Sequence, residues 1–425
     1  MRIESLTFSN FRCFENYKLE FKKGVNLLFG SNGSGKTTIL RGMKIAMSSF
    51  FSGFSDVNTR FIGIADSDFM SEVNNDVESL ERPVTIGYDF TDYHELVLSR
   101  SGKKNRTSIA GIKVLRDDTK ELYQQLAAED DGNVALPLFA AFSTEDIHST
   151  RKLDKAIFAK YFQPRSFGYY ECLQGDGFFD YWMHRLLVLA EGQKSMMEIE
   201  VVSNAIAKTL GKEGCNIISG MTVRPMKKKV FFHYVDGREV EAQNLSDGYK
   251  RLVNVVTDLA IRCCLLNGKK YGKECCYHTS GTVLIDEVDL HLHPELQSVI
   301  LKSLHKTFPE LQLVVSSHAP MVMSSVMTNE ENEVLHLEYK DGQYTVSPIS
   351  TYGLDASTIL ELYMGKKSRV AEVEEKLKRL FDLIDDDHYS EAKRALKELA
   401  EQFGDTLPEI IQARTMLDFN MESDD

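Results

Sequence analysis

Val25-Asn26-Leu27-Leu28-Phe29-Gly30-Ser31-Asn32-Gly33-Ser34-Gly35-Lys36-Thr37 decides the reading of this chain. The apolar run from Val25 to Phe29 suits a buried strand, and a glycine-rich turn follows at once. Gly30 to Thr37 fits GxxxxGK[ST], and from Thr37 onward Ile39, Leu40, Met43, Ala46, Met47 and Phe50 fall at helical spacing. Strand, loop and helix in that order make a phosphate cradle. Gly30, Ser31, Asn32, Gly33, Ser34 and Gly35 bring backbone N–H groups to phosphate oxygens, and the helix start adds its positive dipole end. Lys36 is expected to reach the β- and γ-phosphates, Thr37 to ligate Mg²⁺, and Thr38 to join the nucleotide-binding residues. ATP and Mg²⁺ are the expected cofactors.

Working outward, Thr282-Val283-Leu284-Ile285 is an apolar run that ends in Asp286 and Glu287. Acidic pairs end many strands for solubility, but behind a phosphate loop this pair sets Asp286 against Mg²⁺ and Glu287 against an attacking water. His291 and His293 invite a metal reading; without a further ligand set, a structural pair leading into a helix is expected. Leu245-Ser246-Asp247-Gly248-Tyr249 precedes a helix, so Ser246 or Asp247 is either an N-cap or, with Gly248, part of an anion-binding turn. Ser316-Ser317-His318-Ala319-Pro320 follows a third apolar run, Leu313-Val314-Val315, and places His318 where a γ-phosphate is sensed.

The rest of the pattern organises around these motifs. Strands are expected from Ile3 to Ser9 and from Tyr17 to Phe21, and a hairpin from Arg82 to Arg100. Leu252, Val255, Val256, Leu259, Ala260 and Cys263 predict a helix with one buried stripe, and Pro294, Leu296, Val299, Ile300 and Leu304 another. Strand, helix, strand predicts a parallel α/β sheet. Residues 101 to 235 mix polar helical stretches with Phe178-Phe179-Asp180-Tyr181-Trp182 and hold no sustained heptads, which excludes long coiled-coil arms. In the tail, Val370, Val373, Leu377, Leu380, Phe381 and Ile384 form one stripe and Ala392, Ala395, Leu396 and Leu399 a second, predicting an α-helical hairpin. The expected division is 1–100, 101–235, 236–350 and 351–425.

Composition sets the boundaries of function. With 425 residues, 43% hydrophobic and 27% charged, the chain is neither disordered nor fibrous. No run of about 18 apolar residues and no signal-like leader occur, so no membrane role and a cytoplasmic location are expected. Seven cysteines without CxxC spacing predict reduced, mostly buried thiols. A net charge of -13 argues against nucleic-acid binding by the whole surface. Residues 351 to 425 hold 10 Lys/Arg against 18 Asp/Glu, marking an acidic module; its Asp385-Asp386-Asp387 lies between two helical stretches and reads as a solvated turn.

Together, Phe8-Ser9-Asn10-Phe11-Arg12, the phosphate loop, Leu245 to Tyr249, Leu284 to Pro294 and Ser317-His318 resemble the soluble ABC-type ATPases related to RecF and SMC proteins. The resemblance spans about residues 1 to 345. It implies an ABC-type head with a central insertion, ATP-sandwiching dimers or higher oligomers, Arg12 near the nucleotide, and Ser246, Asp247 and Gly248 on the γ-phosphate held by the opposite subunit. It casts Glu287 and His318 as the catalytic pair. The family's glutamine after the first lobe is not evident; Leu138 to Thr144 occupies its place. Tyr352 to Ser357, the helical tail and Arg414 to Phe419 resemble the ATPase component of Septu and retron-associated anti-phage systems. That implies an HNH nuclease encoded alongside, nucleic acid reached through the complex, and no nuclease activity in this chain. A RecF-like repair ATPase acting directly on DNA is the alternative, with Lys103-Lys104-Asn105-Arg106 and Lys227-Lys228-Lys229 as its compact basic clusters. A transporter ATPase lacks a membrane segment, and an adaptor that binds ATP without turnover stays open.

Overall fold

The computed structural model describes the chain apart from residues 56–59, 71–81, 129–131, 144–154, 175–177, 193–195, 366–368 and 423–425. Met1–Ala356 and Ser357–Asp425 form two compact units. The pieces expected over 1–100, 101–235 and 236–350 all fall within the first.

Its strands are β1 (Ile3–Phe11), β2 (Phe14–Glu20), β3 (Val25–Gly30), β4 (Val84–Phe90), β5 (Tyr93–Arg100), β6 (Ser108–Gly111) and β7 (Leu138–Phe142). They continue as β8 (Ile218–Arg224), β9 (Lys229–Tyr234), β10 (Glu239–Glu241), β11 (Gly281–Ile285), β12 (Leu311–Ser317), β13 (Glu333–Lys340) and β14 (Gln343–Ile349). β1 runs two residues past the expected Ser9 and β2 starts three before Tyr17, because Arg12 takes a left-handed φ of 52° and closes a tight turn with Cys13. The Arg82 to Arg100 hairpin forms as β4 and β5.

Three sheets result, ordered β2-β1-β4-β5-β6, β10-β9-β8 and β14-β13-β3-β12-β11-β7. The third is the α/β core. β13, β3, β12, β11 and β7 run parallel in it, with β14 antiparallel at the edge. β3, β7, β11 and β12 are buried at every residue, as strands covered on both faces must be, which explains why they read as unbroken apolar runs.

The helix expected to show one buried stripe, Asp247–Tyr271, is instead buried nearly all round from Leu252 to Gly268. Polar residues on its other side carry the middle of the chain. Asp258 accepts from Trp182 Nε1 at 2.6 Å and from Arg262 Nε at 2.6 Å, while Arg262 Nη1 donates to the carbonyls of Gly168 and Tyr170 at 2.8 and 3.0 Å. A second buried ion pair, Arg185 to Glu198 at 2.8 Å, sits nearby. Such charges are tolerated because they are paired and hydrogen-bonded. The segment expected as an insertion is thereby locked to the helix.

The helix from Pro294 is two short ones, Pro294–Gln297 and Ile300–Thr307, broken at Ser298 and Val299. In the second unit the expected hairpin is a three-helix bundle, Ala371–Asp385, Tyr389–Phe403 and Pro408–Glu422. Ile410, Ala413 and Leu417 of the third helix close the core over Leu377, Leu380, Ile384, Ala392, Leu396 and Leu399. Two helices would have left that stripe in water, and burying each such side chain contributes about 1.5–3 kcal/mol. Asp385 ends the first of these helices and Asp386 and Asp387 form the turn after it, all three exposed.

Candidate functional site

β3, β12 and β11 deliver Gly30, Ser317 and Ile285 to the same C-terminal edge, with Phe29 beside Ser317 and Ile285 beside Val315. Open α/β sheets bind ligands outside that edge. The strand bearing Ser316 and Ser317 lies between the phosphate-loop strand and the strand of Asp286, so all three motifs converge. The phosphate loop lies some 250 to 290 residues before the other two, which are about 30 residues apart.

The loop itself is tight. A Cβ on Gly30 would stand 2.2 Å from the Leu337 carbonyl oxygen and 2.6 Å from Ser34 Oγ, so only glycine fits there. Lys36 is 6% exposed, not the surface residue a loop suggests, and its Nζ donates to the carbonyls of Gly30 and Ser31 at 2.8 and 2.9 Å. Burial lowers its pKa to about 8 against the opposing pull of Asp286, Glu287 and Asp289. Ser34 Oγ is buried without a hydrogen-bond partner. Buried polar groups are normally satisfied, so a desolvated ammonium resting on its own loop and an orphaned hydroxyl fit a phosphate group. Thr37 is exposed at the helix start and Thr38 buried behind it.

Asp286 is buried and Glu287 half-buried. Ser316 Oγ donates to Asp286 Oδ1 and accepts the Glu287 N–H at 2.8 Å, so one hydroxyl orients both acids. Glu287 holds a φ of 48°, a left-handed conformation that costs a non-glycine residue about 1–3 kcal/mol and concentrates at functional sites. Arg251 holds it there: Nη1 donates to the Glu287 carbonyl and Nη2 to that of Asp286, both at 2.5 Å. The hydroxyl of Thr37 and the carboxylate of Asp286 are the oxygen donors that Mg²⁺ prefers.

His318 is half-buried, its backbone N–H donating to Asp289 Oδ1 at 3.4 Å. Burial first and the Lys36 charge second push its imidazole below the usual 6.5, against Asp289, Glu287 and Asp286. It is neutral at pH 7. Lys36, Asp286, Glu287, Asp289 and His318 thus form one electrostatic cluster, although the sequence separates them into three motifs.

The Leu245 to Tyr249 turn stands apart in character. Ser246 occupies the N-cap position of the Asp247–Tyr271 helix but makes no capping hydrogen bond with its side chain. Ser246 and Asp247 are exposed, whereas Gly248 is buried so closely that a Cβ would lie 2.3 Å from the His291 carbonyl oxygen. Arg12 is no bare surface charge, since its Nε pairs with Asp68 Oδ1 at 2.8 Å while Arg41 holds the other oxygen at 3.1 Å. His291 and His293 are exposed, and among the described residues no group of three or more His, Cys, Asp or Glu is placed to hold a metal. Leu138 to Phe142 is β7, whose Phe142 carbonyl accepts the Asp286 N–H at 2.8 Å; Thr144 lies outside the described residues. All seven cysteines are unbridged, with six buried.

Sequence reasoning missed Ser316 and Arg251. Nothing in the Ser316-Ser317-His318 string marks Ser316, because its hydroxyl position follows only from strand order. Arg251 had a fainter signal: a basic residue one helical turn after Asp247.

A family profile described as "AAA domain, putative AbiEii toxin, Type IV TA system" matches residues 25–324. The chain is similar to the retron Vc95 probable ATPase of Vibrio cholerae serotype O1 biovar El Tor, 26% identical over 431 residues that cover 88% of this chain and 81% of that protein. It is 22% identical to the retron Ec83 probable ATPase of Escherichia coli over 502 residues, covering 100% and 88%. The Septu protein PtuA of Bacillus thuringiensis is 22% identical over 365 residues, covering 85% and 82%. No helix among the described residues is long and apolar enough to cross a membrane.

Proposed function

The chain belongs to the AAA domain family just described, and from that membership we propose that it is an ATPase of anti-phage defence whose hydrolytic site is completed by a second copy and controls a partner nuclease. The observation that carries the reading is the cluster around Lys36, in which a phosphate loop, a pinned acidic pair and a neutral imidazole share one sheet edge. Mg²⁺ bound at Thr37 and Asp286 would neutralise charge on the β- and γ-phosphates. Lys36 exchanges its loop carbonyls for phosphate oxygens. Ser34 Oγ gains a partner, Glu287 orients water and takes its proton, and His318 hydrogen-bonds the γ-phosphate from the other side. The Ser246 hydroxyl and the backbone N–H of Asp247, at an exposed helix N-terminus that the Ser246 side chain does not cap, suit the γ-phosphate of a facing copy.

The sandwich is tested by mass. Without nucleotide, the Glu287→Gln chain should run smaller than with ATP, and Ser246→Arg should abolish the increase by placing bulk and charge where the second copy closes. Mixing Ser246→Arg with Lys36→Ala subunits leaves one intact composite site per heterodimer, so ATP should restore about half of the shift. A mass indifferent to nucleotide in every variant would remove the sandwich.

A nuclease partner is supported by the acidic bundle and by the resemblance to Septu and retron ATPases. Leu417 is 1% exposed inside the bundle core and so has no surface to offer a partner, while Phe419 is 71% exposed. Deleting residues 357–425, a separate compact unit, should abolish nuclease co-purification and leave ATP affinity within about twofold. Retention of the nuclease by the truncated chain would move the docking surface to the head.

A further inference from the structure

A cavity of about 530 Å³ opens at the edge of the core sheet opposite the phosphate loop, within the range of about 300–1,000 Å³ usual for small-molecule sites. Its wall residue His278 comes just before β11, which starts at Gly281, and its wall residue Thr307 just before β12, which starts at Leu311. The cavity thus sits at the roots of the two strands whose far ends lead into Asp286 and carry Ser316. We infer that it is an effector site for a flat aromatic anion, with Tyr277 as the stacking face and Lys208 and Asn204 as donors to the anionic group. The binding part stands on this cavity alone, and the effector part rests on the ATPase reading above.

One stripe of the helix Met196–Leu210 forms the first wall. Val201, Asn204, Ala205 and Lys208 recur at i, i+3, i+4 and i+7, so they share one helix face. Val201 and Ala205 are buried and make an apolar floor with Cys276, whereas Asn204 is exposed and Lys208 half-buried at the mouth. The facing wall is the short helix Cys275–His278. Tyr277 is 52% exposed there, and the His278 ring braces it edge-on with centroids 5.2 Å apart. Behind them the buried Thr279 hydroxyl donates to the Cys275 carbonyl at 2.6 Å and accepts from Asn267 Nδ2 at 3.0 Å, which fixes this wall to the long helix Asp247–Tyr271.

Charge selects the ligand class. Lys273 pairs with Glu200 at 2.6 Å and Lys306 with Glu213 at 3.0 Å. Lys208 has no ion-pair partner among the described residues; its Nζ stands over the Tyr277 ring, 5.4 Å from the centroid. Asn204, one helical turn away, has no hydrogen-bond partner among them either. An uncommitted ammonium and amide above an exposed ring and an apolar floor hold a flat group by stacking and its anionic substituent by charge-assisted hydrogen bonds. A neutral ligand leaves Lys208 unused and a cation is repelled by it, so the class is an aromatic phosphate, carboxylate or sulfonate. The route to the ATPase site is short. β11 and β12 pair in register from Gly281 beside Leu311 to Ile285 beside Val315, and the Ser316 hydroxyl then holds Asp286 and Glu287 together. A ligand clamped between Tyr277 and the Met196–Leu210 helix fixes the root of β11, about 17 Å from the acid pair along the strand.

The probe is 1-naphthyl phosphate, whose fluorescence reports binding to the full-length chain with Mg–ADP present in excess to occupy the phosphate loop; 1-naphthol is its uncharged counterpart. Tyr277→Ala, a change at an exposed side chain, should weaken both ligands about tenfold. Lys208→Ala should weaken 1-naphthyl phosphate about tenfold and leave 1-naphthol unchanged. Saturating 1-naphthyl phosphate should change the ATP turnover of the parent at least twofold and that of Tyr277→Ala not at all. A parent that does not bind the probe, or two variants that bind it as the parent does, would overturn the site. An equal loss of both ligands in Lys208→Ala would overturn the anion assignment, and parent turnover indifferent to bound probe would overturn the effector role. A chain that binds the probe as expected but turns over no ATP would refute the ATPase reading while upholding the site.

Discussion

In the Glu287→Gln chain, ATP stays bound while turnover falls by about 10²-fold or more. The amide keeps the shape of the side chain and leaves untouched the Ser316 hydroxyl on the Glu287 N–H and the Arg251 contacts to its carbonyl, all of which involve backbone atoms. Geometry is therefore preserved and only proton acceptance is lost. Binding measured by nucleotide titration and turnover measured as phosphate release separate the two effects. Parent-like turnover would pass the role of base to another member of the cluster, Asp289 or His318.

Lys36→Ala should weaken ATP binding by about 10- to 100-fold, the equivalent of the roughly 1.5–3 kcal/mol that hydrogen bonds to a charged group contribute. The fold should survive, although not because the loop is exposed: Lys36 is buried, and what it contributes to the unliganded protein is a desolvated charge. The sign follows from the proton balance. Its folded pKa is about 8 against an ordinary 10.5, so between those values the unfolded chain binds more protons and stability rises with pH. Lys36→Met, which keeps the stem and removes the charge, should be more stable than the parent by up to about 3 kcal/mol at pH 7. That advantage should shrink as pH rises from 8 to 10.5, as read from thermal unfolding of the two chains. A parent–variant difference that does not vary with pH would mean that Lys36 titrates normally.

The parts of this site legible in sequence are those written as contiguous strings. Gly30 to Thr37 and Asp286-Glu287 are local patterns whose backbone geometry is set by their own residues and flanking strands. The α/β class followed from the same runs, because strands buried on both faces leave an uninterrupted apolar signature. What was not legible depends on distance in the chain. Ser316 acts through its place between β3 and β11, and Arg251 through a contact across 36 residues. Asp258 reads as a polar interruption in an apolar helix until Trp182 and Arg262 are found around it. The third tail helix was missed because Ile410, Ala413 and Leu417 are sparse and two of their neighbours, Ile411 and Phe419, are exposed. Its stripe is too weak to announce a buried face without the other two helices.

The order of strands in the core sheet also sets a timetable for biosynthesis. β3 is complete within the first 30 residues of the chain, but both of its neighbours, β12 and β13, come from residues 311 to 340. Ile3 likewise waits for Gln312, whose side chain binds its backbone across 309 residues. At about 5–20 residues per second, that interval is roughly 15–60 s on the ribosome. The antiparallel sheet of β1, β2, β4, β5 and β6 draws only on residues 3 to 111 and can assemble early. The nascent chain thus carries a phosphate-loop strand with no flanking strands until residues 311 to 340 have been made, and nucleotide cannot act as a folding template until those strands have emerged.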